Sequence, residues 1–224
     1  MNLEQNQANN IHDNEPISAL THFIGLLFSI AGLALLSVFA VLYGKTGHIV
    51  GFSIFGSGLI LLYLASATYH FISKTHPAKG IFKTIDYSMI YILIASTYTP
   101  LVLVIPQRGW GWGLFGAIWG LASLGVALSI LIKKDIRVLS AVLYITMGWL
   151  AAILLPVLLK SLPPEGIWWL VLGGILYTFG VIFLALERMF PRKGWFGMHE
   201  IFHIFVMGGS FSHFWFMFKY VLYI

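Results

Sequence analysis

The stretch Phe196–Leu222, FGMHEIFHIFVMGGSFSHFWFMFKYVL, admits two readings that lead to different folds. Its first turns contain His199-Glu200-x-x-His203, the H-E-x-x-H of a zinc-protease helix, in which the two imidazoles hold metal and the Glu is the general base. Taken whole, the stretch is apolar apart from a few polar positions, and it exceeds the roughly 20 residues that a helix needs to cross a bilayer. On that second reading only H-x-x-x-H matters, two imidazoles one helical turn apart. Where this helix sits, and what else reaches its first two turns, decides between them.

Composition places it in a membrane. Of 224 residues 59% are hydrophobic and 9% charged, with a mean hydropathy of +0.88, whereas a soluble domain carries about 25% charged residues. The chain has no cysteine, which excludes disulfides, thiolate metal sites and cysteine nucleophiles, so any metal must be held by nitrogen and oxygen. The net charge of +5 is too dispersed for a nucleic-acid patch. The opening MNLEQNQANNIHDNEP has no Lys or Arg and carries three acidic residues. It therefore lacks the basic start and cleavage site of a secretory signal. Residues 1–15 read as a short polar cytoplasmic tail, with no cleaved targeting segment.

Seven stretches are long and apolar enough to span: approximately Ile17–Tyr43, Ile49–Ile72, Thr84–Ile105, Trp110–Ile132, Ile136–Leu159, Gly166–Leu186 and Phe196–Leu222. The connections, of a few to about eleven residues, are too short for a second domain. The expected fold is an all-α integral membrane protein, with residues 16–224 forming one seven-transmembrane helix bundle. Basic residues collect on the cytoplasmic side. Lys74, Lys79, Lys83, Lys133, Lys134, Arg137, Arg188, Arg192 and Lys193 fall on one face, against Lys45, Arg108, Lys160 and Lys219 on the other. That bias puts the N-terminus in the cytoplasm and the C-terminus outside, the reverse of a G-protein-coupled receptor. Gly116-x-x-x-Gly120 and Gly173-Gly174 are expected to let helices approach closely. Pro100 and Pro156 are expected to kink spans three and five, and Trp110, Trp112, Trp168, Trp169 and Trp195 to mark an aromatic belt.

With that topology, ionisable groups on different spans share one depth. His70 ends the second span, Asp86 opens the third, and His199 and His203 open the seventh. At 1.5 Å per residue all four lie within about 3–11 Å of the inner boundary. His199 and His203, at i and i+4, share a helix face about 6 Å apart. Three imidazoles from two helices, with no thiolate, suit Zn²⁺ with its fourth position open to a water that the metal acidifies. Asp86 could take that water's proton or orient it, and Ser66, one turn before His70, points its hydroxyl into the cluster. Each residue also has an ordinary reading: an interfacial His can simply be hydrogen-bonded, Asp86 could pair with Lys83, and Ser66 could serve packing. Their common depth favours a joint site. His22 enters the first span slightly deeper, as a supporting polar residue or a packing one. His213 is about 15 Å beyond His203 and cannot share the same ion. His12, His48 and His76 are expected to be solvated in the tail or connections. Glu15, before Pro16, reads first as a cap on span one and second as a partner for a basic loop.

The motifs Glu15-Pro-x-x-x-Leu-Thr-His22, Ser66-x-x-x-His70, the Asp86 of Asp-Tyr-Ser-Met-Ile-Tyr and His199-x-x-x-His203 occur in this order. Together they resemble the hemolysin III family of bacterial inner-membrane proteins, over essentially everything after residue 14. That family belongs with the progestin and adiponectin receptors and, more distantly, the alkaline ceramidases. The resemblance implies zinc held by His70, His199 and His203, with Asp86 acting on the metal-bound water and Ser66 as a nearby hydroxyl. It also implies an N-inside topology in the inner membrane and, from relatives that hydrolyse ceramide-like amides, a membrane lipid as substrate or ligand. No nucleic-acid partner is implied, and the oligomeric state is left open. The expected function is thus metal-dependent hydrolysis of a lipid amide or ester, serving membrane lipid homeostasis. The alternatives are a non-catalytic receptor or regulator with structural zinc, a cytolytic protein, and an intramembrane metalloprotease using Glu200 as base. Glu200 reads more simply as a negative side chain favourable near a helix N-terminus.

Overall fold

The computed structural model describes residues 14–105, 108–132, 136–187, 189, 190 and 196–224. The tail 1–13, Lys133, Lys134, Arg188, Arg192, Lys193 and Trp195, together with the side chains of Arg108 and Trp110, lie outside the described residues. The helices are α1 (Pro16–Tyr43), α2 (Thr46–Phe71), α3 (Lys79–Val104), α4 (Arg108–Leu131), α5 (Arg137–Trp149), α6 (Ala151–Ser161), α7 (Pro164–Leu186) and α8 (Met198–Lys219). A short 3₁₀ turn follows at Val221–Tyr223. With α5 and α6 as two halves of one crossing, the described residues give seven helices long and apolar enough to cross a membrane, of mean hydropathy 1.3 to 2.5. The protein is an all-helical, multi-pass membrane protein. Phe28, Leu131 and Val138 keep 70%, 75% and 70% of their surface exposed. In water this would be costly, but in a bilayer it is the favourable arrangement, because lipid tails are as apolar as the side chains.

Successive helices are antiparallel neighbours, as connections such as Gly44–Lys45 force them to be, and α8 packs back against α1 to close the bundle. The third span is the most enclosed: 61% of its most apolar window is buried, against 17% for α7. Pro16 starts α1 at a position where its missing N–H and fixed φ cost nothing. The helix α3 begins at Lys79, a turn and more before the expected Thr84. Lys79 can afford that place because its Nζ donates to the carbonyls of Tyr69 and Ile72, which α2 leaves unsatisfied at its end.

Two packing expectations are corrected. Gly116 and Gly120 face no neighbouring helix: a Cβ at either would meet nothing within 4 Å. Gly173 is instead the close-approach residue of its pair, lying against the ring of His213, whereas Gly174 meets nothing. The fifth crossing breaks at Leu150, not at Pro156, which sits inside α6. At the break the Tyr98 hydroxyl lies 2.7 Å from the carbonyls of both Met147 and Gly148. Those are the acceptors that Ala151 and Ala152 would need to continue the helix, so a tyrosine from α3 takes the bonds that α5 gives up.

Between α3, α5, α6, α7 and α8 lies a cavity of about 200 Å³. Its walls are mainly apolar, with Leu93, Leu101, Leu155 and Val206 among them. One end is polar, where Asp86, Ser66, His22, Arg137 and His199 line it.

Candidate metal centre

The end of α2, the starts of α3 and α8 and the start of α1 meet at one end of the bundle. His70, His199 and His203 come together there, each offering one nitrogen, and these nitrogens all lie within 4.8 Å of one another. His70 and His203 are about 1% exposed, and their rings sit 5.0 Å apart at 72°. The Nε2 atoms of His70 and His199 are 3.1 Å apart.

The partners of the other ring nitrogens fix what these Nε2 atoms are. His70 Nδ1 is 2.6 Å from the Glu15 carboxylate. Burial raises the Glu15 pKa, but the hydrogen bond and charge of His70, with Lys74 nearby, outweigh it and hold the carboxyl at about 2. An ionised carboxylate only accepts, so His70 Nδ1 carries the proton. Glu187 plays the same part for His199, 3.4 Å from its Nδ1, and the hydrogen bond to His199 lowers the Glu187 pKa despite burial. His203 Nδ1 is 3.1 Å from Thr21 Oγ1, whose own hydrogen is donated to the Ser18 carbonyl. Thr21 therefore accepts, and His203 Nδ1 also carries the proton. In their neutral forms all three rings present bare Nε2 lone pairs to one small space. Two such lone pairs at 3.1 Å repel unless a metal cation or a shared proton lies between them.

These three residues could hold a divalent cation. Around tetrahedral zinc, with nitrogens 2.0–2.1 Å from the metal, neighbouring ligand atoms are about 3.3 Å apart. The carboxylate–histidine and hydroxyl–histidine contacts are of the kind that orient metal-bound imidazoles and raise their basicity. The donor set is nitrogen, and with three protein ligands it leaves a fourth position open.

Asp86 and Ser66 lie at the same end of the bundle as the imidazoles. Both are buried, at 8% and 2% exposure. Ser66 donates a hydrogen bond to Asp86, whose carboxylate is within electrostatic reach of His70 and His199. Both line the cavity beside His199.

Other residues resolve differently from expectation. Glu15 occupies the N-cap position of α1, but its side chain caps nothing. It turns to His70 and, at 3.5 Å, to Lys74, so the basic-loop reading holds and the capping one fails. His48 is not solvated: the helix α2 starts at Thr46, ahead of the expected Ile49, and buries His48 in its first turn at 1% exposure. His22 stacks on His203 at 3.5 Å between ring centroids. Glu200 is fully buried, accepting from the Ser18 hydroxyl at 2.6 Å and the Gly197 N–H at 2.7 Å. It caps the helix that carries it. Sequence reasoning passed over Glu187 and gave Thr21 no role. The available signal for Glu187 was its place at the end of α7, at the level of His199 and the only acid in a basic connection.

Fold and cluster together define a class: seven-span membrane proteins in which the second and seventh crossings bring three imidazoles to one end. The chain belongs to the haemolysin-III related family, whose pattern matches residues 10–214. It is 43% identical over 197 residues to the hemolysin-3 homolog of Bacillus subtilis (strain 168), covering 88% of this chain and 89% of that protein. With hemolysin-3 of Bacillus cereus it shares 38% over 209 residues, 93% of this chain and 92% of that one. A human relative, the monocyte to macrophage differentiation factor, is 27% identical over 172 residues, 75% of this chain and 69% of its own length.

Proposed function

We propose that this protein is a zinc-dependent hydrolase of the bacterial inner membrane, cleaving the amide or ester of a membrane lipid with its metal site near the cytoplasmic face. The observation that carries the reading is the placement of Asp86, Ser66 and His199 in the wall of a largely apolar cavity that opens from the imidazole cluster. Hydrocarbon fits such walls, and the polar end would receive the scissile group. The cytoplasmic placement rests on the basic residues that flank this end.

His70, His199 and His203 would hold the metal. Zinc in such a site supplies Lewis acidity toward a carbonyl and a water of lowered pKa. Asp86 takes a proton from the attacking water and returns it to the leaving nitrogen or oxygen, as a general base and then a general acid. The new bond joins the water oxygen to the carbonyl carbon, and the C–N or C–O bond breaks to give a fatty acid and an amine or alcohol. Ser66 donates to Asp86 and fixes the direction in which the carboxylate faces.

Glu200 is a poor candidate for the base of a metalloprotease, since Ser18 and Gly197 occupy both its oxygens. The name of the Bacillus cereus relative speaks of haemolysis. Apolar walls along most of the cavity suit a hydrocarbon chain better than a conducting path.

The test is metal analysis of the purified protein, followed by mass-spectrometric detection of fatty acid released from an N-acyl sphingoid amide and from a lipid ester. We expect one zinc per chain and release that chelation abolishes. Asp86→Asn should retain zinc and lower release by about a hundredfold or more. Zinc without turnover of either lipid would make the metal a structural tie between α2 and α8. Absence of zinc under metal-replete conditions would end both readings.

A further inference from the structure

The face that α7 turns to the cavity is one stripe. Val171, Gly174, Thr178 and Val181 line the wall at intervals of three and four residues, the spacing of a single helix face. Trp168, Phe179 and Ile182, on a second face, are exposed, and Gly173 and Gly180 lie against side chains of α8 on a third. Gly174 is therefore central to the cavity stripe, and a Cβ there would meet nothing within 4 Å. Glycine in a helix interior is unfavourable relative to alanine, and no neighbouring helix needs the space. The room left by the missing side chain belongs to the cavity.

That room is at the deep end. On α8 the wall runs from His199 to His213, and on α3 from Asp86 to Leu101. Both helices give a depth of about 21–22 Å from the polar end, at 1.5 Å per residue. The neighbour of Gly174, Gly173, lies against the His213 ring, and His213 is at that far limit. The opposite wall has a small residue at the same level. Trp149 Nε1 donates to Thr178 Oγ1 at 3.1 Å, which sets the register between the antiparallel fifth crossing and α7. Ala152, three residues on from Trp149, then comes to nearly the level of Gly174, four residues before Thr178.

An extended chain of tetrahedral atoms advances about 1.2 Å per bond, since the three backbone bonds of a residue span about 3.5 Å. A depth of about 21–22 Å thus takes about 17–18 bonds. With its scissile carbonyl at the level of Asp86, an acyl chain of about 16–18 carbons ends beside Gly174.

We propose that the cavity selects acyl chains by length, with an upper limit near about 18 carbons, and that Gly174 sets this limit by leaving room for the end of the chain. Gly174 is then a specificity-determining residue far from the scissile group. This rests on the lipid-hydrolase reading, to which it adds the length class of the chain.

The probes are saturated fatty acids of 12, 14, 16, 18, 20 and 22 carbons, titrated calorimetrically into delipidated protein in detergent. Partition into the micelle changes smoothly with length, so a limit shows as a break in the series. The wild type should bind acids up to 18 carbons and lose about tenfold or more in affinity beyond, as an overfilled site does. Gly174→Leu should move the break to about 14 carbons while leaving the affinity for the 12-carbon acid near wild type. Gly174→Ala, which adds one methyl group, should keep the wild-type limit. Gly174→Met, with a more adaptable side chain, replaces the leucine variant if that one does not fold. An unbroken wild-type series overturns the proposal and leaves the lipid reading intact, the tail then leaving the cavity between helices. A break that neither large side chain shifts overturns the assignment to Gly174. If none of the acids binds, the lipid reading falls as well.

Discussion

His48 and His70 stand near opposite ends of α2, and each keeps only 1% of its surface. By residue type, helix and burial they are equivalent. His48 uses both ring nitrogens on backbone: Nδ1 accepts from the Lys45 N–H at 3.0 Å, and Nε2 donates to the Val221 carbonyl at 3.0 Å. It closes a helix start and pins the 3₁₀ turn at the end of the chain. His70 spends only Nδ1, on Glu15, and leaves Nε2 facing His199. Burial therefore does not distinguish a site from a structural residue. Counting lone pairs does, since His48 has none left and His70 shares its spare one with two neighbours.

The comparison is tested most strongly by taking the imidazoles away from one end. If the proposed zinc site is right, elemental analysis should find one zinc per chain in the wild type and almost none in the double variant His199→Ala/His203→Ala. His48→Ala should leave that stoichiometry unchanged. Next in size is Glu15→Gln. It keeps the shape of the His70 partner but loses the charge, and zinc affinity measured by chelator competition should fall about ten- to a hundredfold. An unchanged affinity would mean that Glu15 serves only to seat the N-terminal segment, whose Glu15 N–H donates to the His70 carbonyl at 3.1 Å.

His48→Phe sharpens the other side. It keeps the bulk but leaves the Lys45 N–H and the Val221 carbonyl without their partner, at a cost of about 1–3 kcal/mol. Thermal unfolding in detergent should register that loss with zinc content intact. A variant as stable as the wild type would show that the 3₁₀ turn is held by packing alone.

The imidazole cluster was legible because chain order and helix direction alone bring the end of span two and the starts of spans three and seven to one depth. The meeting of His70, His199 and His203 could be read from spacing without knowing a single rotamer. What escaped depended on where helices start and which side chains cross between them. His48 was misplaced because three residues at the start of α2 decide between loop and first turn, and apolar pattern marks such boundaries poorly. The break at Leu150 was invisible because its cause, Tyr98, lies on another helix. Gly116 and Gly120 carry a packing motif, yet nothing in the sequence says which way their face of α4 points.

The smallest expected effect bears on the stretch that first suggested a protease. In Glu200→Gln the one amide oxygen can accept from the Gly197 N–H, and the amide NH₂ then donates to a Ser18 hydroxyl turned to accept, so both contacts survive. What it loses is the negative charge near the positive end of α8, worth about 0.3–1 kcal/mol. Thermal unfolding should fall by that margin, while zinc content and lipid hydrolysis stay near wild type. For a metalloprotease base the ordering is opposite: stability barely moves and activity vanishes. The same substitution thus separates a carboxylate that holds its helix from one that handles protons. The contacts to Ser18 and Gly197, both under 2.8 Å, put Glu200 in the first group, beside His48 and apart from His70.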